Sequence, residues 1–298
     1  MRNNLGVATL ILGALLLPPI SLAQVEQSDS HPAISRDQLV EKRGQLYEVK
    51  SKTPYTGLMT IVLPTTRGKF RYECPLVDGR LHGVCTTWSK IGRKTGEIHF
   101  VNGQAHGLIT EWYETGQKRV EESYVNGKRE GPGMTWYENG QMKLNTIVTN
   151  NKRVGLLTEW YPNGHKIHEG DHENGKKSGE WTEWYDHGQK RSEGEYVAGS
   201  QEGPWTWWHE NGQEKLEGNM IDNRREGRWI VWHDNGQKHE EATWRKGRRD
   251  GLVLGWYANG QKQFEGTYRK GKLKRGSKWW DENGEPKTRG KWPPPGVD

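Results

Sequence analysis

The sequence is poor in the residues that normally build a hydrophobic core. Its 298 residues include only three Phe and five Met, and 31% of all residues are hydrophobic. This composition argues against a large globular core. Little apolar content can also indicate disorder, but 16 Trp spread evenly along the chain do not fit a disordered protein. The composition favours a flat or elongated structure in which neighbouring units bury apolar surface against each other.

Long apolar runs are also missing, apart from one near the N terminus. That run extends from residue 5 to residue 17 and is followed by Ser21-Leu22-Ala23. Small residues then occupy positions −3 and −1 of a cleavage site between Ala23 and Gln24. These features predict a secretory signal peptide over residues 1–23. The run is short for a membrane span, so an uncleaved anchor is the alternative. We expect an exported protein, periplasmic or extracellular.

No block of like charge stands out in the sequence. The formal net charge is +6, from 44 Lys and Arg and 38 Asp and Glu. The two signs are interleaved, which indicates a solvated surface. No nucleic-acid-binding motif is present, so nucleic acid is not an expected partner. Residues 24–44 are polar without periodicity and are predicted to form a flexible segment.

A tryptophan recurs at a constant interval along the sequence. The nine copies are Trp88, Trp112, Trp136, Trp160, Trp184, Trp208, Trp232, Trp256 and Trp280. A Gly follows each of them four residues later, and six of these Gly are preceded by Asn. Asn-Gly is typical of tight hairpin turns because both residues tolerate positive φ. The repeat therefore contains a hairpin turn shortly after each Trp.

A second column of turn residues lies 13 positions before these Gly. It runs from Gly79 to Gly271, and the only replacements for Gly are Asn151 and Asn223. Asn is the residue other than Gly that best tolerates left-handed backbone, so this column requires a backbone shape rather than a side chain. A third column holds Gly from position 83 to position 251 and fails only at Arg275.

The segments between the turns are short and rich in Trp, Tyr and Thr, which favour strands. None shows helical capping with a period of 3.6 residues. The sequence predicts an all-β fold, an elongated solenoid or meander of about ten 24-residue antiparallel β-hairpin repeats. The array is predicted over residues 45–292, with a degenerate first unit at 45–80 and regular units at 81–292. A Pro-rich tail follows at 293–298.

Two bulky columns are predicted to form the core. The first is the Trp column itself. The second consists of Phe100, Tyr124, Val148, His172, Tyr196, Met220, Trp244, Tyr268 and Trp292. A shift of the hairpin register by one residue would turn either column to the other face.

Several segments resemble a known repeat family. Trp-Tyr-Glu-Asn-Gly-Gln at 136–141, Asn-Gly-Lys-Arg-Glu-Gly at 126–131 and Glu-Gly-Glu-Tyr at 193–196 are similar to the variant MORN repeat, which is typical of bacterial proteins of the YwqK antitoxin family. Thr-Pro-Tyr-Thr-Gly at 53–57 resembles how such proteins begin. The resemblance implies a β-hairpin solenoid with an interaction role. That role could be antitoxin-like or immunity-like protein binding, scaffolding, or contact with membrane lipid.

Cys74 and Cys85 are the only cysteines. In the repeat register, the Cys85 column holds Trp at 181, 205 and 229, and the Cys74 column then holds Gly, at 170, 194 and 218. Large residues matched with small ones indicate that the two columns face each other across strands. Cys74 and Cys85 are then cross-strand neighbours within disulfide reach, and in an exported protein we expect them to be joined. Two buried thiols are the alternative.

Catalysis requires an irregular group of side chains, whereas almost every polar residue here belongs to a column. The carboxylates from Glu97 to Glu265 occupy seven equivalent positions beside Lys and Arg, which favours a structural ladder over the paired carboxylates of a glycosidase. His165, His168 and His172 occupy strand columns rather than one helical face, so no metal site is predicted. We expect no enzyme activity, no cofactor and no metal.

The residue after each Trp provides the candidate binding surface. If the Trp faces the core, its neighbour faces outward, since side chains alternate along a strand. The resulting ladder is Tyr113, Tyr137, Tyr161, Tyr185, His209, His233 and Tyr257. It suits a protein or peptide partner, because Tyr combines apolar area with a hydroxyl. The alternative is a purely structural second face.

We therefore expect a non-enzymatic protein-binding module or scaffold, with antitoxin-like or immunity-like inhibition as one form of that role. The alternative is binding to the cell envelope, to glycan or anionic membrane lipid, through an aromatic and mildly basic repeat face.

Overall fold

The computed structural model describes residues 33–65, 68–288 and 290. The predicted signal peptide, its cleavage site at Ala23 and Gln24, and the tail at 293–298 lie outside these residues. The regular secondary structure of the described chain is nearly all β, with 67% of residues in strands, which confirms the predicted fold class. Its helical structure is the single turn Arg36–Gln38, and no described helix has the length and apolar character to cross a membrane. The chain divides into two compact units, with the boundary between Lys152 and Arg153.

Unit 1 contains strands β1 to β12. Their bounds are β1 Ile34–Ser35, β2 Leu39–Lys42, β3 Gln45–Glu48, β4 Gly57–Thr65, β5 Gly68–Val77, β6 Arg80–Leu81, β7 Gly83–Trp88, β8 Lys94–Val101, β9 Gln104–Trp112, β10 Lys118–Val125, β11 Lys128–Trp136 and β12 Met142–Thr149. From β7 to β12 each strand pairs antiparallel with the next. β4 pairs with β5, and β5 with both β6 and β7.

Unit 2 contains the later strands. Their bounds are β13 Lys152–Trp160, β14 Lys166–Glu173, β15 Lys176–Trp184, β16 Lys190–Val197, β17 Ser200–Trp208, β18 Glu214–Ile221, β19 Arg224–Trp232, β20 Lys238–Arg245, β21 Arg248–Trp256, β22 Lys262–Arg269, β23 Lys272–Leu273, β24 Lys278–Trp280 and β25 Pro286–Lys287. Consecutive antiparallel pairing continues from β13 to β22. β22 then pairs with both β23 and β24.

The start of unit 1 differs from the flexible segment predicted at residues 24–44. Residues 34–42 form two short strands and a helical turn, and β1 pairs in parallel with β4. Leu39 is buried in the same cluster as Tyr55 and Met59. The backbone N–H of Leu46 donates to the carbonyl oxygen of Gly79 at 2.8 Å, which fixes the β2–β3 hairpin against the first repeat. Apolar contacts thus order this otherwise polar segment.

The second turn column has the backbone shape that its Gly and Asn content predicts. At Asn126-Gly127 both residues have positive φ, 49° and 77°. Asn223, which replaces Gly, has φ 60°. Two consecutive residues of positive φ make a type I′ turn, which suits the twist of a two-residue hairpin. The prediction that this column requires left-handed backbone is confirmed.

The Asn-Gly turn after each Trp is built differently from the prediction. Its Gly has positive φ, as at Gly164 with 90°, but the preceding Asn is not among the described residues of positive φ. The Asn contributes through the hydrogen bonds of its side chain rather than through its backbone conformation. Asn163 Oδ1 accepts the backbone N–H of His165 at 3.1 Å, and its Nδ2 donates to the carbonyl oxygen of Asp186 in the next repeat at 2.6 Å. The residue therefore closes its own turn and links two repeats.

The most deeply buried column begins at Cys85 rather than at Trp88. Its large members are at most 3% exposed, and they are Cys85, Ile109, Leu157, Trp181, Trp205, Trp229 and Val253. We call the face of each sheet that carries them the packed face. The second predicted core column lies there too, with Phe100, Tyr124, Val148, His172, Met220 and Tyr268 buried. Tyr196 and Trp244 in that column are half-buried, and Trp292 lies outside the described residues. That half of the predicted core is confirmed.

The Trp column was wrongly assigned to this core. All nine of its members are half-buried. In β17 the rings of Trp205 and Trp207 stack at 5.4 Å on the packed face, so Trp208 points to the opposite side of the sheet. We call that side the open face. The error was one of register, because a single step along a strand exchanges the two faces.

The predicted match of large and small residues on the packed face is confirmed. Gly194 pairs with Trp205 and Gly218 with Trp229 across neighbouring strands. A Cβ atom on either Gly would overlap the opposing indole ring. Glycine is therefore required there by space, because the ring lies directly on the backbone.

This contact gives a stability prediction. Gly218→Ala should lower the free energy of unfolding by about 2 kcal/mol, since overpacking a filled core forces neighbours to move. In the next repeat the same pair is Ala242 and Val253. Gly218→Ala should therefore lower the free energy of unfolding less when it is added to Trp229→Val than when it is added to the natural chain. Urea unfolding measures both effects. Equal losses for Gly218→Ala with and without Trp229→Val would contradict the explanation.

Candidate interaction surface

The predicted Tyr and His ladder is placed at the Asn-Gly turns, where all seven side chains are half-buried. Its polar tips contact the following repeat. The hydroxyls of Tyr113, Tyr161, Tyr185 and Tyr257 donate to the carbonyl oxygens of Trp136, Trp184, Trp208 and Trp280, at 2.9, 3.2, 2.8 and 2.9 Å. Nε2 of His209 and of His233 lies 3.0 Å from the corresponding oxygens of Trp232 and Trp256. Tyr and His can alternate here because each reaches the same oxygen with one donor.

These bonds make the ladder a link between repeats. Its donors are already used within the chain, so a partner could contact only the exposed parts of the rings. The structural alternative that the sequence left open is the one this geometry favours. The sequence contained a signal for this structural role, because Tyr and His alternate in the ladder and each carries a hydrogen-bond donor at a similar distance from the backbone.

The ladder therefore predicts a stability effect. Tyr185→Phe should lower the free energy of unfolding by about 1 kcal/mol, since it removes one partly buried hydrogen bond while keeping the ring. Tyr161→Phe should cost a similar amount, and the two losses should add. Thermal or urea unfolding tests this. Unchanged stability in the double variant would show that the hydroxyls are not used as links.

The open face carries a repeated group of three side chains. In six repeats a Lys ammonium lies 2.5–2.9 Å from a Glu carboxylate three residues later and 4.9–5.7 Å from the centre of the next repeat's Trp ring. We call each group a lysine clamp. The clamps are Lys94, Glu97 and Trp112; Lys118, Glu121 and Trp136; Lys166, Glu169 and Trp184; Lys190, Glu193 and Trp208; Lys238, Glu241 and Trp256; and Lys262, Glu265 and Trp280.

The lysine clamps explain both the Trp column and the Glu column. A cation over an indole face is attracted by the ring quadrupole, and the Glu holds the ammonium in place. Hydrogen bonds from Arg228 and Lys238 lower the pKa of Glu241 to about 2, so this carboxylate stays charged. The predicted Glu ladder beside Lys and Arg is confirmed, and its role in these repeats is structural.

The opposite turns are also linked from repeat to repeat. Glu202 Oε1 accepts the backbone N–H of Asp222 at 2.8 Å, and Glu226 Oε2 accepts that of Lys246 at 2.7 Å. The backbone N–H of Gly247 donates to the carbonyl oxygen of Arg225 at 3.0 Å. These bonds give the Glu of the Asn-Gly-Lys-Arg-Glu-Gly motif a structural role. Repeated polar groups of several kinds thus serve repeat stacking.

Apolar side chains remain exposed on the open face of unit 1. Val84, Leu108 and Ile147 are 37%, 41% and 47% exposed, and Pro132 is exposed beside Ile147, its register partner. Val84, Leu108 and Pro132 occupy the same position of three successive repeats, on alternate strands. We call Val84, Leu108, Pro132 and Ile147 the apolar row. Contiguous exposed apolar area marks interaction sites more often than scattered residues do, and Pro132 and Ile147 are such direct neighbours.

Unit 2 gathers positive charge at its type I′ turns. The exposed cations there are Arg224, Arg245, Lys246, Arg248, Arg269, Lys270, Lys272, Lys274 and Arg275, which we call the basic edge. Arg245 and Arg248 are register partners on neighbouring strands, as are Arg269 and Lys272. The turns are stacked through Gly271, whose N–H donates to the carbonyl oxygen of Arg249 at 2.8 Å. Reading the charges along the chain missed this edge, because its members come from the turns of successive repeats.

The three histidines considered for metal binding do not converge. His165 lies at a turn, with Nδ1 2.7 Å from the carbonyl oxygen of Asp186. His168 and His172 flank the Trp181 ring on the packed face, at 5.6 and 5.2 Å between ring centres. Burial lowers the pKa of both His168 and His172. The described residues contain no group of three or more His, Cys, Asp or Glu side chains suited to a metal ion.

Comparison with known proteins supports the repeat assignment. Five segments, at residues 105–126, 177–198, 201–222, 225–246 and 249–270, match the model of the MORN repeat variant. Each begins at the strand that follows one type I′ turn and ends at the next such turn, so the match follows the structural repeat. MORN repeats are generally modules that bind proteins or membranes. No match was found among the curated proteins.

Proposed function

We propose that this protein is an exported, non-enzymatic module that binds a partner protein through the apolar row of unit 1. The observation that carries the proposal is the contrast between two sets of side chains. The repeated polar groups at the turns and in the clamps contact other repeats, whereas the apolar row stays exposed, with three of its four members at one position of successive repeats. Covering exposed apolar area of this kind with a protein surface lowers the free energy, by roughly 25 cal/mol per Å².

Binding can be tested by crosslinking the full chain in the compartment where it accumulates, followed by identification of the crosslinked species. Leu108→Asp and Ile147→Asp should each abolish capture of a partner at stoichiometric yield. The matched control is Leu252→Asp, which changes an exposed Leu of unit 2 outside the row. Circular dichroism checks that all three variants fold. Capture that survives both row substitutions would move the site elsewhere.

Export can be tested on the same material. The N-terminal sequence of the mature protein should begin at Gln24 if residues 1–23 are a cleaved signal peptide. A chain that retains residues 1–23 would favour the uncleaved anchor. An antitoxin-like or immunity-like role is one form of this protein binding. The inhibition of a captured partner's activity by the purified chain would support that role.

The basic edge favours a second candidate, attraction to an anionic envelope surface. A surface that carries many exposed cations binds anionic lipid electrostatically, and each added Lys or Arg contributes about 1 kcal/mol near such a surface. Arg248→Glu with Lys272→Glu should abolish co-sedimentation with vesicles that contain anionic lipid. The control, Lys128→Glu with Lys176→Glu, changes corresponding positions of other repeats and should retain it. Binding should weaken with salt; equal binding to neutral vesicles would contradict this candidate.

A further inference from the structure

One repeat of unit 2 keeps two members of the lysine clamp and lacks the third. Glu217 and Trp232 occupy the Glu and Trp positions, but the Lys position is held by Glu214. Among the described residues, no cation lies over the Trp232 ring and no basic side chain forms an ion pair with Glu217. The repeat at Met142 is different, because there Asn145 replaces the Glu as well. A carboxylate beside an unoccupied indole is therefore a particular feature of the Glu214 repeat.

The backbone places these residues as in the occupied clamps. Glu214 is the register partner of Trp208, just as Lys190 is the register partner of Trp184. Lys190 reaches forward to the Trp208 ring at 5.7 Å and bonds Glu193 at 2.5 Å. By this equivalence, Glu214 occupies the backbone position from which the Lys of an occupied clamp reaches its Glu and Trp, and it brings a carboxylate in place of the ammonium.

A cavity of about 230 Å³ adjoins Glu217 and is otherwise lined by Pro204, Trp205, Thr206, Gly218, Arg228 and Ile230, so of the three residues Glu214, Glu217 and Trp232 it reaches only Glu217. Pro204 and Ile230 supply apolar walls. Arg228 acts on Glu217 electrostatically, but its Nε bonds Glu241 at 2.8 Å. Lys238 bonds the same Glu241 at 2.7 Å. The charges of Glu214, Glu217, Glu241, Arg228 and Lys238 leave one negative charge uncompensated, and a single monovalent cation would balance it.

We propose that Glu214, Glu217 and Trp232 form a receptor for a primary ammonium group supplied from outside the chain. The six occupied clamps show what the arrangement holds, because each accommodates the ammonium of a Lys between a carboxylate and an indole. The ligand chemistry is an ammonium on a short alkyl stem. The source that the clamps favour is a Lys side chain of a partner protein, because each occupied clamp holds the ammonium of a Lys; the ethanolamine headgroup of a lipid is the other outcome of the test. The receptor does not depend on the apolar row, which belongs to unit 1.

The test follows the indole N–H signal of Trp232 by NMR in the full chain, assigned through Trp232→Phe. The probe is Nα-acetyl-lysine methylamide, and the control probe is its Nε-acetylated form, which has no charge. The charged probe should shift the Trp232 signal and the neutral probe should not. Glu217→Gln should weaken binding of the charged probe about tenfold, since it removes the charge-assisted contact. If the charged probe leaves the Trp232 signal of the natural chain unshifted, the proposal is overturned.

Two further variants make the test independent of misfolding. Glu214→Lys restores the clamp seen in the other repeats, so it should fold normally, abolish probe binding and leave the remaining indole signals in place. Lys190→Glu opens the equivalent clamp, so it should create a new response at Trp208 beside Glu193. Retained binding in Glu214→Lys, or no new response in Lys190→Glu, would overturn the proposal.

The source of the ammonium is decided by vesicles. If phosphatidylethanolamine vesicles shift the Trp232 signal and phosphatidylcholine vesicles do not, the ligand is a lipid headgroup and the protein source is overturned. If Lys-containing peptides shift it and both vesicles fail, the ligand is a protein side chain. Leu108→Asp should leave either response unchanged, so failure of the apolar row and failure of the ammonium receptor are separable.

Discussion

Replacing Arg249 by Met should lower the free energy of unfolding by about 3–5 kcal/mol, the usual loss when one partner of a buried ion pair is removed. Arg249 and Glu240 lie on the packed face of unit 2, with side chains only 9% and 2% exposed. The guanidinium contacts both carboxylate oxygens, at 3.1–3.3 Å. Without the guanidinium, the Glu240 charge remains in a buried site, at a high desolvation cost.

The double variant Glu240→Leu with Arg249→Met should recover most of this loss, because it removes both charges from the core. The matched control is Arg228→Met. Arg228 pairs with Glu241 at 2.8 Å, but its side chain is 62% exposed, and exposed pairs contribute little to stability. Urea unfolding, with hydrogen exchange of β20 to β22 as a local readout, measures all three. A similar loss for Arg228→Met and Arg249→Met would contradict the role of burial.

Removing the disulfide should lower the free energy of unfolding by about 3 kcal/mol, the chain-entropy value for a loop of this length. The structure joins Cys74 and Cys85 in a disulfide, with Cα atoms 4.1 Å apart and each residue only 1% exposed. The bond closes a loop of sequence separation 11 in the first repeats of unit 1. Those repeats are the least regular in sequence, and the crosslink lies within their buried apolar cluster, between residues such as Tyr72 and Ile98.

The variant Cys74→Ala with Cys85→Val tests the crosslink apart from the packing, because Ala242 and Val253 are the natural pair at the same register position of unit 2. Its free energy of unfolding should be about 3 kcal/mol lower than that of the oxidised protein and equal to that of the reduced protein. A reducing agent should destabilise the natural chain but not the variant. Alkylation without reductant should leave the mass of the natural chain unchanged, and two labelled cysteines would contradict the prediction.

The periodic features of the fold could be predicted because each rests on local backbone chemistry. Gly and Asn in the column from Gly79 to Gly271 specify left-handed backbone whatever surrounds them, and the type I′ turns have it. The match of Gly194 with Trp205 gave the pairing of two columns, since only a residue without Cβ leaves room for a ring on the backbone.

The surfaces could not be predicted in the same way. Assigning a face to Trp208 requires the strand register, and one residue of error places a clamp residue in the core. The sequence left open whether the tyrosine ladder binds a partner or is structural, because the acceptor of each hydroxyl, such as the Trp208 carbonyl oxygen for Tyr185, lies 23 residues away. The basic edge was missed for a related reason, since its residues come together only when turns stack.

The sequence alone determined the period, the strands, both turns and the pairing of large with small residues, because these follow from backbone conformation and side-chain volume along a single repeat. Tertiary structure decided which columns are buried, which donors are used between repeats and which side chains remain for a partner. Those properties depend on the contacts of each repeat with its neighbours. The recurring Trp illustrates the difference: its spacing predicted the architecture, whereas the lysine ammonium that lies over its ring in six repeats depends on how the repeats stack.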